Sequence, residues 1–168
     1  MSARATRATD VLTRTGIPHR VLEYELPERH GTARDERPAY GLEAAAALGE
    51  DPARLFKTLV ALVDGRPVVA IVPVDGMLDL KALAAALGGH RADLADPAEA
   101  ERATGYVIGG ISPLGLRRRL PAVLDASATA HVTILVSAGR RGLQLELAAA
   151  DLARATGAIV APITRLEG

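Results

Sequence analysis

The position of one lysine is the first sign of chemistry in this sequence. Only Lys57 and Lys81 are lysines among 20 basic residues, the others being arginines. Lys57 lies in an apolar run, residues 55–63 (LFKTLVALV), where its same-face neighbours in a strand are leucines. An ammonium on a covered stem needs a partner, a cavity or a lowered pKa. Lys57 is therefore either a functional amine in a pocket or a lysine that snorkels at a strand end, whereas Lys81 is predicted on the polar side of a helix.

A glycine-rich stretch, residues 109–115 (GGISPLG), holds the second candidate group. The adjacent Gly109 and Gly110 can expose backbone N–H groups, which suits a carbonyl oxygen that gains negative charge. The same pattern is also typical of a plain turn. Ser137 is predicted where a strand enters a turn, so that its hydroxyl either reaches a pocket or caps the turn.

Two clusters of arginines could contact phosphate, because the guanidinium fork matches phosphate oxygens. They are Arg117, Arg118 and Arg119, and Arg140 and Arg141. The alternative is a solvated surface. The formal net charge of zero excludes a protein that coats nucleic acid through its overall charge, so any RNA contact must be local.

Several kinds of chemistry are excluded or disfavoured. The chain has no cysteine, so a disulfide, a thiolate zinc site and a cysteine nucleophile are impossible. The chain has four histidines, His19, His30, His90 and His131. Their positions show no metal-ligand spacing, and no metal or cofactor is expected. The apolar runs are much shorter than the roughly 20 residues of a membrane span, and the N-terminus lacks a signal-peptide pattern, which predicts a cytoplasmic protein.

The element pattern predicts one α/β domain over residues 1–168. Helices are predicted at 5–15, 42–48, 80–87, 97–105 and 149–156, and strands at 17–24, 55–63, 68–74, 122–124, 132–137 and 143–147. Asp64-Gly65 favours a tight hairpin, so the sheet should be mixed rather than purely parallel. Residues 25–41 are predicted to form a long functional loop.

Four phrases of the sequence carry a resemblance to a known family. They are LFKTLVAL (55–62), LDLKALAAALG (78–88), ADPAEAERATGYVIGGISPLG (95–115) and VSAGRRGLQLELAAADLA (136–153). With these phrases the chain resembles, nearly end to end, the YbaK family of bacterial cysteinyl-tRNA(Pro)/cysteinyl-tRNA(Cys) deacylases, relatives of the editing domain of bacterial prolyl-tRNA synthetase.

The resemblance implies an α/β domain with a mixed, partly barrel-like sheet around an aminoacyl pocket. It implies that activity depends on Lys57, with Gly109 and Gly110 as amide donors, and that the arginine clusters bind tRNA. The implied substrate-binding residues are Tyr24, Tyr40, Thr58, Ile111, Ser112, Ser137 and Gln144. Two positions depart from the family: Tyr40 replaces a frequent phenylalanine, and Gln144 a frequent aspartate, with Glu146 two residues further on.

The implied reaction is a trans-editing deacylation that needs no enzyme cysteine, metal or cofactor. The thiol of a cysteine attached to tRNA(Pro) attacks its own ester and releases a thiolactone. The implied partners are cysteinyl-tRNA(Pro) and prolyl-tRNA synthetase, which could supply tRNA selectivity. Two alternatives remain: a deacylase of the same fold for alanyl-tRNA(Pro) or another small aminoacyl-tRNA, and a non-catalytic module that binds aminoacyl-tRNA or a synthetase.

Overall fold

The fold is seen in a computed structural model, which describes residues 5–25 and 40–165. Most of the predicted functional loop, and His30 within it, lies outside the described residues. The helices are α1 (Arg7–Thr15), α2 (Tyr40–Leu48), α3 (Leu80–Ala86), α4 (Pro97–Thr104) and α5 (Ala149–Thr156). In the described part of the chain, none of these helices has the length and apolar character needed to cross a bilayer.

The strands of the described residues are mostly short. They are β1 (Arg20–Glu23), β2 (Phe56–Val63), β3 (Arg66–Pro73), β4 (Met77–Leu78), β5 (Ala92–Leu94), β6 (Ala122–Asp125), β7 (Ile134–Ser137), β8 (Leu143–Leu147), β9 (Ile159–Ala161) and β10 (Thr164–Arg165). Two short 3-10 helices cover Pro52–Arg54 and Ala126–Ala130.

The largest sheet has five strands in the order β5-β2-β3-β6-β9. Its pairs β5-β2 and β2-β3 are antiparallel, while β3-β6 and β6-β9 are parallel, which confirms the predicted mixed sheet. The β2-β3 hairpin turns at Asp64 (φ 49°) and Gly65 (φ 81°), the two positive φ values that a tight type I′ turn requires.

A second sheet, β1-β8-β7, is antiparallel and contains the predicted hairpin of β7 and β8. A bridge between Leu55 and Leu135 links the start of β2 to β7, so the two sheets meet there. The strands β4 and β10 form a separate pair. The α/β fold is confirmed, and the sheets of the described residues do not close into a barrel. That residues 1–168 form one domain stays a prediction.

Local sequence signals explain the helix boundaries. Helix α1 ends at Gly16 in the left-handed conformation, and α4 begins at Asp96, whose side chain and that of Glu99 form a reciprocal capping box. The strands β4, β5, β9 and β10 were not predicted, because two or three residues carry no readable alternation. Ile163 lies between β9 and β10, and its amide donates a 2.8 Å hydrogen bond to the Oδ1 of Asp125, which anchors these two strands.

A half-buried ionic network ties β8 to the segment before β2. Arg54 donates to Glu146 and to Glu50, and the Oγ1 of Thr133 donates to Glu146 over 2.9 Å. Burial by itself would raise the pKa of Glu146, but hydrogen bonds from Arg20, Thr133 and Arg54 outweigh it and hold the pKa below its usual value. The ionised carboxylate therefore stabilises the fold.

We expect Glu146→Gln to lower the free energy of unfolding at pH 7 by about 2 kcal/mol, because Arg54 loses its main partner. The glutamate pKa is depressed in the folded state, so the difference from wild type should shrink as pH falls below about 4.3. Urea denaturation at several pH values measures both effects. The control is Glu50→Gln, which removes a more exposed partner of Arg54 and should lower the free energy of unfolding by less. An equal or larger decrease in this variant would contradict the assignment of Glu146 as the main partner of Arg54.

Candidate functional site

A pocket of about 390 Å³ lies beside the first half of β2. It contains eight of the ten residues predicted as catalytic or substrate-binding, and lacks Gly110 and Ser112. The lining residues are Tyr24, Tyr40, Gly41, Leu42, Phe56, Lys57, Thr58, Leu59, Val74, Ile108, Gly109, Ile111, Ser137 and Gln144. Residues that lie far apart in sequence thus share one cavity.

Lys57 is the only charged side chain among the described residues that line this pocket. It is half-buried, and its Nζ donates a 2.9 Å hydrogen bond to the carbonyl of Gly76, in the turn between β3 and β4. This bond holds the ammonium at a backbone carbonyl of the protein, whereas a snorkelling lysine would extend it into solvent. Because Lys57 is itself a lining residue, it brings a positive charge to the neighbourhood of the pocket.

The pocket lies beside a short stretch of β2, between its bridge to β7 at Leu55 and its pairing with β5, where the edge opposite β3 has no paired strand among the described residues. Val74 donates to the carbonyl of Leu55, so in the antiparallel ladder the backbone groups of Leu55 and Lys57 face β3. The backbone groups of Thr58 face the opposite edge of β2. On that edge the register with β5 begins at Ala61 of β2. The Thr58 Oγ1 is also buried without a hydrogen-bond partner among the described residues. Thr58 thus brings hydrogen-bonding groups to the pocket that a ligand can use.

The glycine pair has two different environments. The amide of Gly110 donates over 2.9 Å to the carbonyl of Val107, which closes a turn. A Cβ on Gly110 would lie 2.6 Å from the Cα of Arg140, so this glycine is required by backbone packing. The Gly110 amide is thus used in this turn, and a role of both amides as donors to an oxyanion stays a prediction. Gly109, with φ of 92°, is the member of the pair that lines the pocket.

The two predicted serines also differ. Ser112 is fully buried, and its Oγ accepts from the amide of Leu114 over 3.2 Å, so it stabilises the turn and does not line the pocket. Its assignment to substrate binding stays a prediction that this position does not support. The Oγ of Ser137 accepts from the amide of Gly139 over 3.1 Å and also lines the pocket. Its hydroxyl thus caps a turn and remains able to donate its own hydrogen.

Gln144 lies opposite Ser137 in the β7-β8 ladder, lines the pocket and is only 8% exposed. Glu146 does not replace the frequent aspartate of the family, because its carboxylate is bound to Arg54 and Arg20 outside the pocket. The described pocket lining therefore has no carboxylate.

The opposite wall of the pocket is the start of α2, and Arg141 fixes its position. The guanidinium of Arg141 forms a 3.1 Å ion pair with Glu43 and lies 4.7 Å from the ring centroid of Tyr40. A Cβ on Gly109 would lie 3.0 Å from the Tyr40 ring and 3.1 Å from the Cδ of Arg141. Sequence reasoning missed Glu43, because no local spacing connects it to a residue 98 positions away.

The remaining predicted arginines lie outside the pocket lining. Arg117, Arg118 and Arg119 are exposed, and Arg119 lines another cavity together with Ala155 and Thr156 of α5. Arg140 is exposed and lines a neighbouring groove, in which Arg141 also takes part. Arg119 and the pair Arg140 and Arg141 therefore lie beside different cavities.

Comparison with known proteins relates this site to aminoacyl-tRNA editing. The family described as "Aminoacyl-tRNA editing domain" matches residues 36–155. A protein of Enterococcus faecalis named "Putative Cys-tRNA(Pro)/Cys-tRNA(Cys) deacylase EbsC" is 35% identical over 96% of this chain and 94% of its own length. The Escherichia coli protein named "Multifunctional Ser/Thr-tRNA deacylase ProXp-y" is 33% identical over 71% of this chain and 67% of its own length.

A solved structure described as "a putative trans-editing enzyme for prolyl tRNA synthetase" superposes with a TM-score of 0.79 and 27% identity. The superposition covers 98% of this chain and 99% of that one. The family match extends over more than half of the chain, and the likeness to whole proteins is nearly end to end. The chain belongs to the YbaK-type aminoacyl-tRNA editing domain family.

Proposed function

We propose that the protein is a deacylase that cleaves the ester between tRNA(Pro) and a wrongly attached cysteine. The observation that carries this proposal is the Lys57 ammonium, fixed 2.9 Å from the Gly76 carbonyl in a pocket whose other described lining side chains are uncharged. Membership of the editing family and the name of the Enterococcus faecalis relative support the substrate class. Cysteinyl-tRNA(Cys) is a second substrate of the same chemistry.

The positive charge suits cleavage assisted by the substrate's own thiol. A free thiol has a pKa near 8.5, so only a few per cent is thiolate at neutral pH, and a nearby ammonium raises that fraction. The thiolate sulfur attacks the ester carbonyl carbon, and the bond from that carbon to the ribose oxygen breaks. The ribose oxygen regains a proton, which balances the one lost by the thiol, and the amino acid leaves as a thiolactone.

Neutral pocket groups complete the proposed site. The Gly109 amide is the candidate donor to the oxyanion, a contribution of roughly 3 to 4 kcal/mol in comparable enzymes. Thr58, Ser137 and Gln144 supply hydrogen-bonding groups that can orient the aminoacyl part, and Tyr24, Tyr40 and Ile111 form its walls. Differences in shape and contact between small side chains such as those of cysteine, alanine and serine change the binding free energy by only about 1 to 3 kcal/mol. The reaction of the substrate thiol must therefore add to the discrimination.

We expect Lys57→Ala to slow deacylation of cysteinyl-tRNA(Pro) by about 100-fold or more, because the charge that stabilises the thiolate is removed. Lys57→Arg should also fail, since a planar guanidinium cannot occupy the place of a compact ammonium. The matched control is Lys81→Ala, which removes the other lysine from the exposed side of α3. Single-turnover assays measure the rates, and near-normal activity of either Lys57 variant would contradict the proposal.

The thiol mechanism can be tested with the substrate itself. 2-Aminobutyryl-tRNA(Pro), in which a methyl group replaces the thiol, keeps nearly the size of the side chain and lacks the nucleophile, so it should be cleaved at the uncatalysed rate. Mass spectrometry should find a thiolactone from the unmodified substrate. Equal cleavage of both substrates would instead indicate attack by water. Cleavage of alanyl-tRNA(Pro) or seryl-tRNA(Pro) in preference to the cysteinyl ester would favour the alternative specificity, and cleavage of none would favour a binding module.

The wall formed by α2 generates a further prediction. Glu43→Gln and Arg141→Gln should each raise KM for cysteinyl-tRNA(Pro) about fivefold with a smaller change in kcat, because a partly buried pair of about 1 kcal/mol holds the wall. The exchanged double variant Glu43→Arg with Arg141→Glu should recover part of this loss. If Arg141 acts only on tRNA phosphate, a glutamate there makes binding worse and the exchange gives no recovery.

The prediction that five arginines bind tRNA remains open for Arg117, Arg118, Arg119, Arg140 and Arg141. Since the net charge of the chain is zero, we also propose that prolyl-tRNA synthetase contributes to tRNA selectivity. A salt series of tRNA affinity, with and without the synthetase, tests this. The synthetase should raise affinity for tRNA(Pro) more than for tRNA(Ala), and an equal change for both would contradict a selective role.

A further inference from the structure

A second cavity adjoins the candidate active site. This groove of about 460 Å³ is lined by Arg7, Tyr106, Val107, Arg140 and Arg141 and by neighbouring backbone. It shares Ile108 with the pocket. The next two residues lie on different sides, since Gly109 lines the pocket and Gly110 lines the groove. We call this cavity the arginine groove.

We infer that the arginine groove binds the sugar-phosphate backbone of the single-stranded 3′ end of an RNA whose terminal ester enters the pocket. This inference rests on the proposed function, because it names the path of the substrate into the same site. Three arginines line the groove, and the Cβ of Arg117 lies close to Gly105 at its rim. Phosphodiester groups are the anions that closely spaced arginines recognise best.

The described lining of the groove contains three arginines and no acidic residue. Glu43, which pairs with Arg141, and Glu101, whose Oε2 accepts from the amide of Ile108 over 2.9 Å, lie outside this lining. A protein with zero net charge thus concentrates positive charge next to the pocket, where a local RNA contact is needed.

Arg7 is the residue that defines the groove and that sequence reasoning missed. Its Nη2 donates to the carbonyl of Gly105 over 2.7 Å, and its guanidinium lies 4.5 Å from the ring centroid of Tyr106. The Tyr106 ring is fixed in turn by a 2.6 Å hydrogen bond from its hydroxyl to Leu114. The guanidinium plane is therefore held in place before any ligand binds, so little ordering cost remains for binding.

The groove also offers apolar surface for nucleobases. Val107 is 72% exposed beside Tyr106, and Ile108 is 37% exposed at the boundary with the pocket. Sites for single-stranded nucleic acid combine a cationic track with flat or apolar surfaces on which bases rest, and arginine planes serve the same purpose. Arg119, by contrast, lines a cavity with α5 that shares no lining residue with the groove.

The test uses uncharged RNA, so it does not depend on ester cleavage. Fluorescence anisotropy measures the affinity of a hairpin minihelix with a four-nucleotide single-stranded 3′ end, and of the same hairpin with a blunt end, over a salt series. Arg7→Gln and Arg140→Gln should weaken binding of the tailed hairpin, and each should reduce the slope of log affinity against log salt by about 0.7 to 1. Arg91→Gln, an exposed arginine paired with Asp93 beside β5, is the control and should change neither.

The blunt hairpin should bind wild type and variants alike. Because Arg7 packs on Tyr106, Arg7→Lys serves as a second variant that keeps the charge and should retain the wild-type salt slope. Wild-type affinity and slope in both Arg7→Gln and Arg140→Gln, or an equal loss for the blunt hairpin, would overturn the inference. If the variants bind the tailed hairpin more weakly as expected while no aminoacyl ester is cleaved, the inferred RNA site in the groove is supported and the proposed deacylase activity is contradicted.

Discussion

The proposed chemistry depends on the place where one ammonium is held. An ammonium on a half-buried stem must find acceptors, and one acceptor of the Lys57 ammonium is the carbonyl of Gly76. Gly76 is packed so closely that a Cβ there would lie 2.4 Å from the Cγ2 of Thr164 in β10. That end of the chain is itself anchored through the bond from Ile163 to Asp125. The C-terminal segment therefore helps to fix the charge in the pocket, although it contributes no residue to the pocket lining.

The side of the pocket that faces the ammonium is built by close contact rather than by charge. Gly109 adopts a positive φ and lies against the ring of Tyr40 and the stem of Arg141, while Gly110 lies against the backbone of Arg140. The absence of side chains at both glycines brings α2, the glycine-rich stretch and the β7-β8 turn together. The same contacts separate the pocket from the arginine groove, so one short segment contributes to both the proposed chemistry and the proposed RNA path.

Much of this arrangement could be predicted from the sequence, because its signals are local. The Asp64-Gly65 turn, the caps of α1 and α4 and the alternation around Lys57 each depend on residues a few positions apart. Other features could not be predicted, because they depend on the tertiary structure. The pairing of Arg141 with Glu43 and the stacking of Arg7 on Tyr106 join distant segments. The surroundings of Gly110 and Ser112 could not be predicted for a related reason, since only the structure shows that their polar groups are used in turns.

In the proposed mechanism a fixed ammonium raises the thiolate fraction of the bound substrate. The pH dependence of single-turnover cleavage measures this effect. Since the thiolate is the reactive form, the rate for cysteinyl-tRNA(Pro) should rise with pH and level off above the pKa of the bound thiol. We expect the midpoint of this pH–rate curve to lie clearly below about 8.5, the pKa of a free thiol. A midpoint at or above that value would show that Lys57 does not stabilise the thiolate, and would contradict the account.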